Sequence, residues 1–181
     1  MSRKALVFVA LATLSLGADQ LSKWQVREHL ALSVERVEVI PGLFQLVHVE
    51  NTGAAFGLLS GWEHAMWLFA LFTLAALGVL VSLYRECPPE ARWTPAALAL
   101  ILAGAVGNGI DRVHKQAVTD FLRVYVDHRA VRDFLRNTLG AVEWPSFNVA
   151  DVSISVGVAM FVYAELFMRR KGTAPEEAPS D

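Results

Sequence analysis

Cysteine is nearly absent: Cys87 stands alone in 181 residues, so no disulfide can form within the chain. The histidines are few and scattered, and none has the His-Glu-x-x-His spacing that holds a catalytic zinc on a helix, so no metal or other cofactor is expected. A Gly-x-Ser-x-Gly elbow is also missing, and Ser153 and Ser155 read as helix-packing residues rather than nucleophiles. Charge is scarce at 19% of residues, with a net value of −2. No basic patch interleaved with aromatics appears, so a nucleic-acid partner is not expected. A soluble domain of this length would carry more charge and show amphipathic periodicity.

What is present instead is apolar sequence gathered into runs. Hydrophobic residues make up 54% of the chain, and mean hydropathy is +0.39. Ala65 to Tyr84 holds no charged side chain over 20 positions. At ~1.5 Å per residue such a helix crosses a hydrocarbon core of about 30 Å. Trp93 to Ile110 is uncharged over 18 positions, and Val152 to Ala164 reaches spanning length with its flanking apolar residues. Ala5 to Ala18 is apolar and is extended by the neutral residues around Asp19. The expected fold is membrane all-α, with four transmembrane helices at about residues 5–22, 65–84, 94–111 and 149–168 in one domain over 1–171. Arg3 and Lys4 before the first run also resemble a secretory signal, but no small-x-small cleavage site leads into a soluble domain and more spans follow. A retained first helix is therefore expected. Residues 172–181, rich in Pro, Glu and Ala, read as a disordered tail.

Basic residues suggest an orientation. Arg3 and Lys4, Arg85 and Arg92, and Arg169 to Lys171 fall on one side of a four-span chain, which the positive-inside rule makes cytoplasmic. Arg112, Lys115, Arg123, Arg129, Arg132 and Arg136 on the other side weaken that argument, although acidic residues accompany them. On this outer side Val37 and Val39 alternate with charges, Pro41-Gly42 turns, and Leu43 to Val49 continues, the pattern of a small extracytoplasmic sheet. An amphipathic helix is expected around Ala130 to Leu139 in the outer loop.

Three polar clusters converge at the outer face in this topology. Asp19 and Lys23 close the first helix, Asn108, Asp111 and Arg112 close the third, and Asn148 and Asp151 open the fourth. Taken singly, Asp19 and Lys23 could be a helix-end ion pair, the asparagines interhelical hydrogen-bond links, and Arg112 a snorkelling side chain. A carboxylate in or beside hydrocarbon costs about 3 kcal/mol. Two of them able to meet, Asp111 and Asp151, would share a proton and could do acid–base chemistry. A small ion-coupled membrane transporter would also use intramembrane acids, though no internal repeat is evident, and a scaffold would need neither aspartate.

The motifs Asp19-Gln20-Leu21-Ser22-Lys23, Asn51-Thr52-Gly53-Ala54-Ala55-Phe56-Gly57, Gly104 to Arg112, Val118-Thr119-Asp120-Phe121 and Phe147-Asn148-Val149-Ala150-Asp151 occur in this order along the chain. Together they resemble the five motif blocks of the lipoprotein signal peptidase family, also called signal peptidase II. The resemblance implies an aspartic endopeptidase of the bacterial inner membrane, multi-pass, with cytoplasmic termini and its active site near the periplasmic face. Its implied partners are membrane lipid and diacylglyceryl-modified prolipoproteins, cut just before the lipidated cysteine. Asp111 and Asp151 match the catalytic pair; Asn51, Gly53, Asn108, Arg112, Asn148 and Ala150 match site-shaping positions; and Asp19, Lys23 and Asp120 match structural ones. Ala103 and Gly109 depart from the family pattern, and the stretch from Asp120 to Asn148 is longer than expected.

Overall fold

The computed structural model describes residues 1–52, 65–140 and 144–168. In chain order the elements are α1 (Arg3–His29), β1 (Arg36–Ile40), β2 (Phe44–Asn51), α2 (Ala65–Glu86), α3 (Trp93–Lys115), β3 (Val118–Val124), α4 (Arg129–Leu139) and α5 (Val149–Tyr163), which a π-helical turn, Ala164–Met168, continues. Among the described residues four helices are long and apolar enough to cross a membrane: α1, α2, α3 and α5 with its π-helical turn.

α3 is the hub of the bundle. Half of its most apolar stretch is buried within the protein, against 6% for α1 and for α2, and it packs on α1, α2 and α5. The outward faces of α1 and α2 expose Leu14, Trp67, Leu71, Phe72 and Leu74. Apolar surface on that scale belongs against lipid rather than water, and helices satisfy their own backbone there. The chain is a multi-pass membrane protein. Hydrophobic burial cannot hold helices together inside lipid, so close backbone approach must. A Cβ on Gly157 would lie 2.8 Å from the Ala97 carbonyl oxygen, and one on Gly104 would collide with the Ala150 carbonyl. Glycine at both positions lets α5 lie directly on α3.

The two ends of the bundle differ. At one end Lys4 donates to the carbonyls of Tyr84 and Cys87 at 3.1 and 2.7 Å, capping the carbonyl-rich end of α2. At the other end α3 stops on Gln116, whose left-handed backbone (φ 60°) turns the chain straight into β3. The sheet therefore sits where α1 and α3 end and α5 begins. It is antiparallel in the order β1-β2-β3, and Gly42 (φ +76°) makes the tight turn of the β1–β2 hairpin.

Four spans, a small sheet and an amphipathic helix agree with the sequence reading. The helices run longer at the sheet end than expected, α1 to His29 and α3 to Lys115. β3 enters the sheet from a segment that sequence marked only as a motif. Gly53 and the tail at 172–181 lie outside the described residues.

Candidate active site

α1 presents Asp19, Lys23 and Arg27 at four-residue intervals, which places them along one face. Lys23 is fully buried. Its Nζ lies 2.9 Å from Asp19 Oδ2 and 3.1 Å from Asp111 Oδ2, and donates to Asn108 Oδ1 at 2.9 Å. An ammonium has three protons, and all three find acceptors, which is the condition for burying one. Arg27 Nη1 adds a second cation 3.6 Å from Asp111 Oδ1 and donates to Thr119 Oγ1 at 3.2 Å. The Thr119 backbone N–H donates to Asp111 Oδ2 at 3.1 Å. Asp111 is thus enclosed by two cations and an amide, with 2% of its surface exposed.

Asn108 transmits this order to α5. Its Oδ1 accepts from Lys23 and, at 3.2 Å, from Asn148 Nδ2, so its own Nδ2 must point away, and donates to Asp151 Oδ1 at 2.8 Å. Asn148 caps α5 in a reciprocal box: its Oδ1 accepts from the Asp151 N–H at 3.1 Å, and Asp151 Oδ2 accepts from the Asn148 N–H at 3.1 Å. Asp19 also serves the start of α5, its Oδ1 accepting from the Ala150 N–H at 2.9 Å.

The carboxylate that shares a partner with Asp151 is Asp120 on β3. Asn148 Nδ2 donates to Asp120 Oδ1 at 2.8 Å, and Asn51 Nδ2 on β2 donates to Asp120 Oδ2 at 3.1 Å. Burial pushes the Asp120 carboxyl up to about 6, and the negative charge of Asp151 adds to the rise. The hydrogen bonds from Asn51 and Asn148 and the Lys23 charge oppose it. Arg112 lies at the rim, its guanidinium 4.5 Å from the centre of the Phe69 ring on α2.

Asp19, Lys23, Asn51, Asn108, Asp111, Asp120, Asn148, Ala150 and Asp151 therefore form one connected network of hydrogen bonds and ion pairs. Gly53, expected beside them, is outside the described residues. Arg27 escaped the sequence reading, and Thr119 entered it only as part of a motif, without a role. Arg27 was findable, because it continues the Asp19–Lys23 stripe by one more turn; Thr119 acts on Asp111 through its backbone, which leaves no trace in residue type. Among the described residues no group of three or more His, Cys, Asp and Glu is placed to hold a metal.

Residues 11–167 match the family model described as signal peptidase (SPase) II. The chain belongs to the signal peptidase II family. A lipoprotein signal peptidase from Symbiobacterium thermophilum is 40% identical over 168 residues, covering 92% of this chain and 98% of that protein. Another from Listeria monocytogenes is 37% identical over 156 residues, covering 86% and 89%. The fold is similar to a bacterial membrane enzyme solved in meso at 2.3 Å, with a TM-score of 0.74, 27% identity and coverage of 95% of this chain and 94% of that one. Membership of the signal peptidase II family makes the protein a membrane protease, and nothing in these likenesses points to a transporter. The two departures from the family pattern leave the polar network intact. Ala103 is buried in α3, and a Cβ on Gly109 would come no nearer than 3.9 Å to Thr73. The long stretch after Asp120 contains α4.

Proposed function

We propose that this signal peptidase II is an aspartic endopeptidase whose acid pair is Asp120 and Asp151, with Asp111 serving as the buried counter-ion of Lys23. This replaces the Asp111–Asp151 pair that the sequence suggests. The observation that carries it is Asn148, one fully buried side chain whose residue bonds to both carboxylates. Asp111, by contrast, already compensates two cations. A carboxylate that neutralises a buried lysine is poorly suited to take and return protons.

The division of labour follows from the environments. Asp151 is held in place by hydrogen bonds from Asn108 Nδ2 and the Asn148 N–H. It takes a proton from water as the oxygen attacks the scissile carbonyl. Asp120, whose carboxyl burial pushes up to about 6, holds a proton more readily once substrate excludes water. It hydrogen-bonds the carbonyl oxygen, and the pair returns a proton to the departing amine. The substrate is a prolipoprotein whose cysteine carries diacylglycerol, cut just before that cysteine. Its acyl chains and signal helix lie in the same bilayer as the enzyme, which positions the peptide bond at the network. We place the protein in the bacterial inner membrane with termini cytoplasmic and the sheet on the periplasmic side, in keeping with Arg3, Lys4, Arg85 and Arg92 at the opposite end.

The test is cleavage of a diacylglyceryl-modified prolipoprotein by purified Asp120→Asn, Asp151→Asn and Asp111→Asn variants. Asp120→Asn and Asp151→Asn should lose on the order of 10²–10⁴ in kcat and remain folded. Asp111→Asn should lose stability first and keep measurable cleavage below its unfolding temperature. Near wild-type turnover by Asp120→Asn, with none from a fully folded Asp111→Asn, would restore the Asp111–Asp151 pair.

A further inference from the structure

Outside the acid network the most unusual feature is α4, a helix of 11 residues that packs on no other described helix or strand. At about 100° per residue, Val131, Phe134, Leu135 and Thr138 fall on one side, and Arg129, Arg132, Asp133 and Arg136 on the other. Its apolar side is open: Phe134 is 64% exposed and Val131 43%.

The same region gathers further unburied apolar surface. Backbone hydrogen bonds tie the loop before α4 and the residues after it to the far end of the sheet: Tyr125 N–H to the Leu43 carbonyl, Asp127 N–H to Gly42, and Trp144 N–H to Val124. Ile40 and Leu43 at the hairpin turn, and Trp144, are all exposed. Trp144 also lies five residues before α5, where the chain enters the last span.

We propose that α4 lies in the headgroup layer of the bilayer on the sheet side, with Val131, Phe134 and Leu135 toward the acyl chains. Arg129, Arg132 and Arg136 then face the lipid phosphates, and Trp144 sits at the same interface. Two features single out lipid among possible occupants. An apolar face backed by arginines matches the layered chemistry of a membrane surface. The short tether from Gly140 to Val149 allows a reach of about 30 Å at full extension from the point where α5 enters the membrane. Exposed tryptophan at that level is the usual interfacial anchor. α4 lies in the connection from Asp120 to Asp151, so the bilayer would tether the segment that joins the two acid-bearing elements.

The experiment uses the full chain in nanodiscs of phosphatidylethanolamine and phosphatidylglycerol. Cys87→Ala removes the native thiol, and single spin labels are introduced through Val131→Cys, Asp133→Cys, Phe134→Cys or Asn137→Cys. Collision with oxygen, which concentrates in lipid, is compared with collision with a water-soluble nickel chelate. The expected result is a several-fold lower nickel collision rate at 131 and 134 than at 133 and 137, with oxygen collision in the opposite order. Equal nickel access at all four positions would overturn the proposal, because α4 would stand in water. Protection of 134 from both reagents would also overturn it, by showing that α4 packs on protein, either its own sheet or a second copy. The readout does not depend on proteolysis, so it stands or falls separately from the assignment of the acid pair.

Discussion

Lys23 Nζ lies 2.9 Å from Asn108 Oδ1, and this contact decides which way the Asn108 amide faces. An ammonium accepts no hydrogen bond, so the oxygen must face the lysine and the NH₂ must face Asp151. A charge on α1 thereby orients a carboxylate on α5 through a neutral side chain on α3.

Lys23→Met should be among the most damaging single substitutions. It leaves Asp19 without its cation and Asp111 with only Arg27, both carboxylates buried. Breaking one side of such a cluster costs about 3–5 kcal/mol. A large fall in unfolding temperature in detergent is expected, together with loss of cleavage. An unfolding temperature within a degree or two of wild type would mean that the cluster contributes little.

The pH dependence of kcat/KM should carry the signature of Asp120. The group must be protonated to donate to the carbonyl, so kcat/KM of the free enzyme falls as pH rises through about 6. Asn51→Ala removes a hydrogen bond that favours the ionised form, so the same limb moves to higher pH. A limb that moves down, or stays in place, would show that Asp120 is not the titrating acid.

Asp120 also has a thermodynamic consequence, in the same direction along pH as its chemical one. Its carboxyl rises from 3.8 to about 6 on folding. Between those values the unfolded chain gives up a proton that the native protein keeps, so stability falls as pH rises, and the loss is complete above about 6. Asp120→Asn removes the ionisable group and with it up to about 3 kcal/mol of this penalty at pH 7, less the one hydrogen bond from Asn51 or Asn148 that its amide nitrogen cannot accept. Thermal unfolding of the variant at pH 4 and pH 7 tests this: the advantage should be present at pH 7 and absent at pH 4.

Glycines on α3 should separate cleanly by position. A Cβ on Gly107 would collide with the Asp19 carboxylate, which Lys23 and the Ala150 N–H hold in place. Gly107→Ala should therefore cost about 1–3 kcal/mol through overpacking and disturb the start of α5. At Gly109 nothing among the described residues lies closer than 3.9 Å, so Gly109→Ala should be neutral or stabilise by up to about 1 kcal/mol through helix propensity. Parallel unfolding curves distinguish the two, and equal effects would contradict the packing described.

The spans were legible because charge is sparse across them, and the amphipathic segment because its period is helical over its whole length. Asp19, Lys23 and Asn108 were legible because polar groups at the ends of apolar runs stand out. The roles of Asp111 and Asp120 were harder to read. Asp111 drew attention by the cost of a carboxylate in a span, yet Lys23, far away in sequence, cancels that cost. Asp120 sits in a strand-like segment where a charged residue looks inexpensive, and only the packing of β3 beside Asn148 buries it. Local composition signals the cost of a charge but not which distant residue compensates it. The role of Thr119 on Asp111 escaped because that contact is made by the backbone.

Charge compensation in this site also follows the order in which the chain is made. Asp19 and Lys23 are one helical turn apart and 2.9 Å in contact, so α1 can neutralise itself while it inserts alone. α3 then delivers Asp111 into a membrane that already holds Lys23, and Asn148 and Asp151 come last with α5. A chain that has inserted only its first three spans holds one member of the proposed acid pair, Asp120, and lacks Asn148, which bonds to both carboxylates. On the proposed pairing, a chain lacking α5 should therefore cleave no prolipoprotein.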